Sequence, residues 1–356
     1  MTFLTDYTAV KFTGIDRLFD VYATFLEFSI GEHTFRIQFY GLIIAFGFLL
    51  AVIFGGRMAY KWKMDLNKML DVLLFGTVGG ILGARLYYVA FEWDYYSQHL
   101  SEIPQIWMGG MAIYGGLIGA VLAAYFTCRH NGLDFLKLLD LSGMGFLIGQ
   151  GIGRWGNFAN QEAFGTNTTL PWGMISEKTT ADIIRHQSEI AARGIEIDPN
   201  LPVHPTFLYE SIWCILSFFI LYLICKKAYK FSGELILCYG ILYGTERAVV
   251  EGLRTDSLYI GTTTLRVSQV LSMAIALLCF VILMIKLYQL KKHPVPFTPV
   301  ETLPEELDYD VTNEKEAKKK ENESVKEMQK RAIKKQEKER KQRRKEQKNH
   351  GENSGR

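Results

Sequence analysis

Seven runs of predominantly apolar residues punctuate the chain, near Phe39–Arg57, Met69–Phe91, Met108–Cys128, Leu138–Asn160, Pro205–Cys225, Gly233–Gly252 and Leu265–Leu287. Each is close to the roughly 20 residues that a helix needs to cross a bilayer, so the pattern predicts an all-α polytopic membrane protein with seven transmembrane helices. The first run lies too far into the chain, and lacks the small-residue cleavage site, to be a removed signal peptide. Residues 1–38 precede it as an external segment. Residues 161–204, which contain Pro171, Trp172, Pro199 and Pro202, form a connection long enough to predict a small external lobe.

Basic residues set the expected orientation. Connections after the first, third, fifth and seventh runs carry Arg57, Lys61, Lys63 and Lys68, then Arg129 and Lys137, then Lys226, Lys227 and Lys230, then Lys286, Lys291 and Lys292. The alternate connections are poorer, and the stretch Phe91–Trp107 has no Lys or Arg at all. Because cytoplasmic loops concentrate Lys and Arg, the N-terminus is expected outside and the C-terminus in the cytoplasm.

Composition sharpens this division. The whole chain is 49% hydrophobic and 22% charged, with a net charge of +3. Yet 19 Lys/Arg and 14 Asp/Glu fall in the 66 residues from Lys291 to Arg356, which leaves only 21 and 23 for residues 1–290. A body about 15% charged is far below the ~25% of a soluble domain, and a disordered body is excluded. The tail, residues 291–356, reads as a charged cytoplasmic appendage in which glutamates dilute the basic clusters, so no nucleic-acid partner is expected. The five cysteines form no Cys-x-x-Cys pair and the seven histidines are scattered, so neither a disulfide framework nor a metal site is expected.

Charges inside membrane helices cost at least about 2.5–3.5 kcal/mol each and mark functional sites by default. Arg85 lies in the second run; Arg154, Asn157, Gln161 and Glu162 lie at the end of the fourth; Tyr243, Glu246, Arg247, Glu251 and Arg254 lie in the sixth. Arg154, Asn157 and Gln161 are spaced for one helical face, and Arg247 and Glu251 are one turn apart. With the fourth and sixth helices running outward, Arg154 and Arg247 fall at comparable depth. Two guanidiniums in one low-dielectric cavity repel unless carboxylates or a bound anion intervene, and the anion available at that depth is a lipid phosphate, which arginine binds through a planar fork. The competing reading is that Arg247–Glu251 and Arg85–Glu246 are internal ion pairs holding helices together. Gly79, Gly83, Gly115 and Gly119 read as small residues that let helices approach closely. Gly151-Ile152-Gly153-Arg154-Trp155-Gly156 matches a dinucleotide-binding fingerprint only formally, since it lacks the preceding strand.

The string Gly153-Arg154-Trp155-Gly156-Asn157-Phe158-Ala159-Asn160-Gln161-Glu162-Ala163-Phe164-Gly165 resembles the signature of the prolipoprotein diacylglyceryl transferase family. It is accompanied by Phe39-Tyr40-Gly41, by Gly109-Gly110-Met111-Ala112-Ile113-Tyr114-Gly115-Gly116, by His204-Pro205 and by Arg247…Glu251…Arg254, so the resemblance spans about residues 38–290. It implies a multi-pass enzyme of the bacterial plasma membrane, without cofactor, that moves the diacylglyceryl group of phosphatidylglycerol to the lipobox cysteine thiol of a preprolipoprotein and releases glycerol phosphate. The family's essential arginines, asparagine and acid fall on Arg154, Arg247, Asn157 and Glu162, its helix-one tyrosine on Tyr40 and its closing glycine on Gly165. Two positions depart: Tyr114 stands where many members carry histidine, and Phe207 where an amide is common.

These implied roles agree with the chemistry of the residues. Arg154 and Arg247 are expected to clamp the phosphate, Asn157 to donate to the headgroup, and Glu162 and Glu251 to orient. Tyr40 and Tyr114 would position headgroup or thiol, and Arg85 and Tyr243 would complete the substrate-binding set. A tyrosine with its usual pKa near 10 is a poor base at neutral pH. A transporter would show inverted repeats, and no repeat relates the two halves; a lipid-binding receptor would share the arginine pair without reactive geometry.

Overall fold

A computed structural model describes residues 2–31, 33–255, 257, 259 and 265–294. Three strands come first, β1 (Thr2–Phe12), β2 (Ile15–Ile30) and β3 (His33–Gln38). They are followed by α1 (Phe39–Lys61), α2 (Leu66–Phe91), a single turn α3 (Trp93–Tyr96), α4 (Ile113–Asn131) and α5 (Phe135–Asn160). Then come β4 (Met174–Ser176), α6 (Glu177–Ala192), α7 (Thr206–Lys227), α8 (Glu234–Glu251) and α9 (Val267–Lys292). The expected charged tail lies, from residue 295 onward, outside the described residues.

The chain is mostly helical and polytopic. Five helices, α1, α2, α5, α7 and α9, are long and apolar enough to cross a membrane. The apolar runs of α4 and α8 are helical too, but α4 ends in Arg129-His130-Asn131 and α8 carries Glu234, Glu246, Arg247 and Glu251.

The all-α expectation needs correction at the N-terminus, where β1, β2 and β3 belong to a four-stranded sheet in the order β3-β2-β1-β4. β1 pairs antiparallel with β4 through Val10↔Ser176 and Phe12↔Met174. Segments more than 160 residues apart are thereby brought to the same end of the bundle, and Val10, Phe164, Met174, Ile183, Val203 and Phe207 form a common core beneath them. Phe12 stacks on Phe158 of α5, 6.2 Å between ring centres.

The opposite end is built from helix starts that the sequence caps. Asp65 accepts from the amides of Asn67 and Lys68 to start α2, and Asp134 from those of Leu136 and Lys137 to start α5. α8 is capped from outside itself: the buried Asp140 carboxylate of α5 accepts from the Gly233 and Ile236 amides at 2.6 and 2.8 Å and from the Tyr229 hydroxyl at 2.7 Å. Gly233 stands at φ +98°, a left-handed conformation that favours glycine. Burial beside Asp140 raises the Tyr229 hydroxyl pKa above its ordinary value. Trp62 stacks on Tyr229, so the connections after α1 and α7 meet here.

Between the two ends, α2 packs on α4, α1 on α5, α5 on α7 and α8, and α8 on α9. A Cβ added at Gly79, Gly83, Gly115 or Gly119 would run into the facing helix's backbone or side chains. These glycines bring α2 and α4 into backbone contact, the close approach that their spacing predicts.

Candidate active site in the helix bundle

α5, α7 and α8 each place one charged residue at a common point. The Glu210 carboxylate of α7 forms an ion pair with Arg154 Nε of α5 at 2.9 Å and accepts from Arg247 Nη1 of α8 at 3.0 Å. Arg247 Nη2 reaches Glu251 Oε2, one turn further along α8, at 2.7 Å. Both acids are buried, with side chains 1% and 2% exposed, whereas the arginines keep 18% and 19% exposed. One carboxylate thus separates two guanidiniums that would otherwise repel. Glu246 is buried in the same field, with both carboxylate oxygens lacking a hydrogen-bond partner among the described residues. The Arg85–Glu246 pair considered from sequence is therefore absent.

Small residues make room for this cluster. Gly151 approaches Cys214 and Gly153 approaches Ile44. Ser211, one residue beyond Glu210, donates to the Gly151 carbonyl at 2.9 Å and accepts from Trp155 Nε1 at 3.1 Å, which fixes α7 against α5. Tyr243 lies one turn before Arg247 in α8 and stacks on Tyr239, 5.5 Å between ring centres.

At the end of α5, Asn157 Nδ2 donates to Glu162 Oε1 at 3.0 Å, and Asn160 to the other oxygen at 3.4 Å. Gln161 terminates the helix in the left-handed conformation, with φ 54°, and its amide oxygen accepts from Ser176. That bond ties the signature to β4. Tyr40, second residue of α1, lies directly on Gly156, where a Cβ would stand 2.8 Å from its ring. Gly165 bridges Arg254 and bonds the His204 carbonyl through its amide at 2.9 Å, so it serves as a close chain crossing.

Two expected members sit apart from the arginine cluster. Arg85 spends its guanidinium on four backbone carbonyls, those of Glu102, Ile103, Gly109 and Gly110, at 2.7–2.9 Å, and lies 5.1 Å from the Tyr96 ring centre. It pins the connection between α2 and α4, in which Gly109 and Gly110 adopt φ +89° and +70°. Tyr114, second residue of α4, is 47% exposed and has no hydrogen-bond or ring partner among the described residues.

Glu210 stands outside the set expected from sequence, although it is the sole acid in the helix Thr206–Lys227. So does a polar chain in which Trp172 Nε1 donates to the Tyr209 hydroxyl at 2.8 Å, which in turn lies 3.0 Å from His204 Nδ1. Burial holds the His204 pKa below its ordinary value. Phe207, the departure noted before α7, is buried and stacks on Phe158 at 4.6 Å with its edge toward Trp155 at 5.4 Å.

Fold and site together define a polytopic helical membrane protein that carries a buried guanidinium–carboxylate centre. The family model described as prolipoprotein diacylglyceryl transferase matches residues 27–285. A relative named phosphatidylglycerol–prolipoprotein diacylglyceryl transferase from Finegoldia magna is 46% identical over 250 residues, covering 70% of this chain and 91% of its own. Relatives of the same name from Listeria innocua and Geobacillus kaustophilus are 43% and 42% identical over 244 and 242 residues, each covering 68% of this chain and 83% and 85% of their own. The chain belongs to the prolipoprotein diacylglyceryl transferase family.

Proposed function

We propose that this protein is a bacterial membrane transferase that moves the diacylglyceryl group of phosphatidylglycerol to the lipobox cysteine of a preprolipoprotein, as its relatives' names describe for them. The sulfur, as thiolate, forms a bond to the glycerol carbon while that carbon's bond to the phosphate oxygen breaks. The electron pair leaves with the phosphate as glycerol phosphate. Negative charge therefore grows on phosphate, and fixed cations aimed there stabilise the transition state more than the ground state.

The observation that carries this reading is the convergence of Arg154 and Arg247 on Glu210. Glu210 and Glu251 hold the guanidiniums rigidly, and the exposed edges of both arginines remain for an anion. In this account Arg154 and Arg247 clamp the departing phosphate, and Tyr243 lines the same point. Asn157, oriented by Glu162, donates to the headgroup. Tyr40 holds the lipid against the Gly156 face, Gly165 shapes the outer rim, and Tyr114 flanks the thiol. Arg85 contributes through the connection it pins.

The same reading has seven helices crossing the plasma membrane, α4 and α8 included, with the N-terminus outside and the C-terminus in the cytoplasm. Polar charges in α8 are sheltered by α5, α7 and α9, which lets a less apolar helix cross. Purified protein incubated with phosphatidylglycerol radiolabelled in its acyl chains and a lipobox peptide should yield label bound to the cysteine. Lipid that binds without label transfer would instead mark a receptor.

A further inference from the structure

The sheet at the N-terminus has two unlike faces. In the β2–β3 pairing, Leu26 stands opposite Ile37 and Phe28 opposite Phe35, while Glu27 stands opposite Arg36 and Ser29 opposite Thr34. Because side chains alternate along a strand, Leu26, Phe28, Ile30, Phe35 and Ile37 share one face, and β1 adds Phe3 opposite Leu26. Ring geometry supports this assignment, since Phe28 and Phe35 stack with centres 5.5 Å apart. The other face is polar, with Arg36 paired to Glu27 at 3.4 Å and Ser29 bonded to Thr34 at 3.2 Å. Nothing in the chain's described residues covers the apolar face: Phe3 is 60%, Ile30 65% and Phe35 49% exposed.

What meets this face follows from where it lies. β3 ends at Gln38 and α1 begins at Phe39, with no residue between them. Ile37 is therefore about 7 Å of strand from the start of a membrane-crossing helix. At the bulge in β2, Phe25 packs edge-on against Phe39 at 5.6 Å and against Phe3 at 6.1 Å, so the apolar face continues into the first turn of α1. Beyond it, α1 exposes Leu42, Phe46 and Leu49, the lipid-facing surface of a spanning helix.

We propose that the β2–β3 ribbon, with Phe3 of β1, is a monotopic membrane anchor that lays its apolar face on the lipid beside the N-terminal end of α1. An amphipathic element with a phenylalanine-rich apolar face suits the boundary between headgroups and acyl chains. β3 is an edge strand whose outer N–H and C=O groups are unpaired by the sheet, and such groups are not tolerated in hydrocarbon. The ribbon therefore lies flat at the interface, with its polar face and its free edge toward water and headgroups. Because β1 also pairs with β4, the anchor holds the 161–204 segment, and with it the end of α5, at headgroup depth. This proposal rests on the chain's being a membrane protein and is independent of the transfer reaction.

The test uses the full chain in nanodiscs containing phosphatidylglycerol, where both membrane surfaces are open to solvent. Phe35→Cys and Thr34→Cys, and as a second pair Ile30→Cys and Ser29→Cys, are each labelled with an environment-sensitive fluorophore. The parent protein, treated identically, sets the background from its own five cysteines. Labels at 35 and 30 should be quenched several times more by lipid carrying a nitroxide high on the acyl chain than labels at 34 and 29, and iodide in the buffer should show the reverse order. Equal iodide quenching of both faces would overturn the proposal by placing the ribbon in water. An apolar face shielded from both quenchers would also overturn it, since a protein partner would then cover that face.

Discussion

Glu210, its side chain 1% exposed, is the buried acid that two guanidiniums share. Removing one partner of a buried pair typically costs about 3–5 kcal/mol because the remaining charge is stranded. Glu210→Gln should therefore lower the thermal stability of the purified protein by that order and reduce transfer; an unchanged melting temperature would mean that the arginines do not depend on it. Tyr114→Phe should be much milder, within about tenfold of the parent rate, because one hydrogen bond contributes about 0.5–1.5 kcal/mol, as measured by transfer per mole of enzyme. The Arg247–Glu251 pair was legible from a spacing of one helical turn, because such pairs are local. Glu210 was not, since its role arises only when α5, α7 and α8 pack together, although a lone acid in an apolar helix was a signal available to be used. Arg85 shows the converse: a membrane arginine reads as a ligand site from sequence, yet here backbone carbonyls satisfy it.

Among elements, the helices were readable because each apolar run is long and self-contained. The sheet was not read, although Phe35 and Ile37 alternate with Arg36 and Gln38, because its last pairing joins β1 to a three-residue strand more than 160 residues away. Helix-to-helix fits were partly readable in the glycine spacing of α2 and α4. Gly83→Leu should separate these helices, because its Cβ would enter the backbone of α4, and the variant should accumulate poorly in membranes, as quantified by immunoblot. At the opposite end, Asp140→Ala would leave the Gly233 and Ile236 amides and the Tyr229 hydroxyl without their acceptor. Each such buried loss costs about 1–3 kcal/mol, so this variant should melt well below the parent; an equal melting temperature would show that α8 does not need this cap.

Across the whole molecule, the sheet, β4 and α6 gather at one end of the bundle and the connections after α1 and α7 at the other, a division that the distribution of Lys and Arg also draws. Reporter fusions after Lys63, Arg129, Lys230 and Lys292 should report cytoplasm, and fusions within 176–200 the outside; a cytoplasmic signal from 176–200 would invert the arrangement. The tail carries no apolar periodicity, so a chain ended near Val295 should transfer within a few-fold of full length. If the bundle holds two forked cations at the departing phosphate, Arg247→Lys should disable transfer, because lysine keeps the charge and loses the fork. Measured as label transferred to the lipobox cysteine per mole of membrane-inserted protein, the variant should fall by roughly 10²-fold or more, the usual cost of losing one preorganised donor, while accumulating normally. Near-parental transfer by Arg247→Lys would rule out a forked phosphate clamp at Arg247.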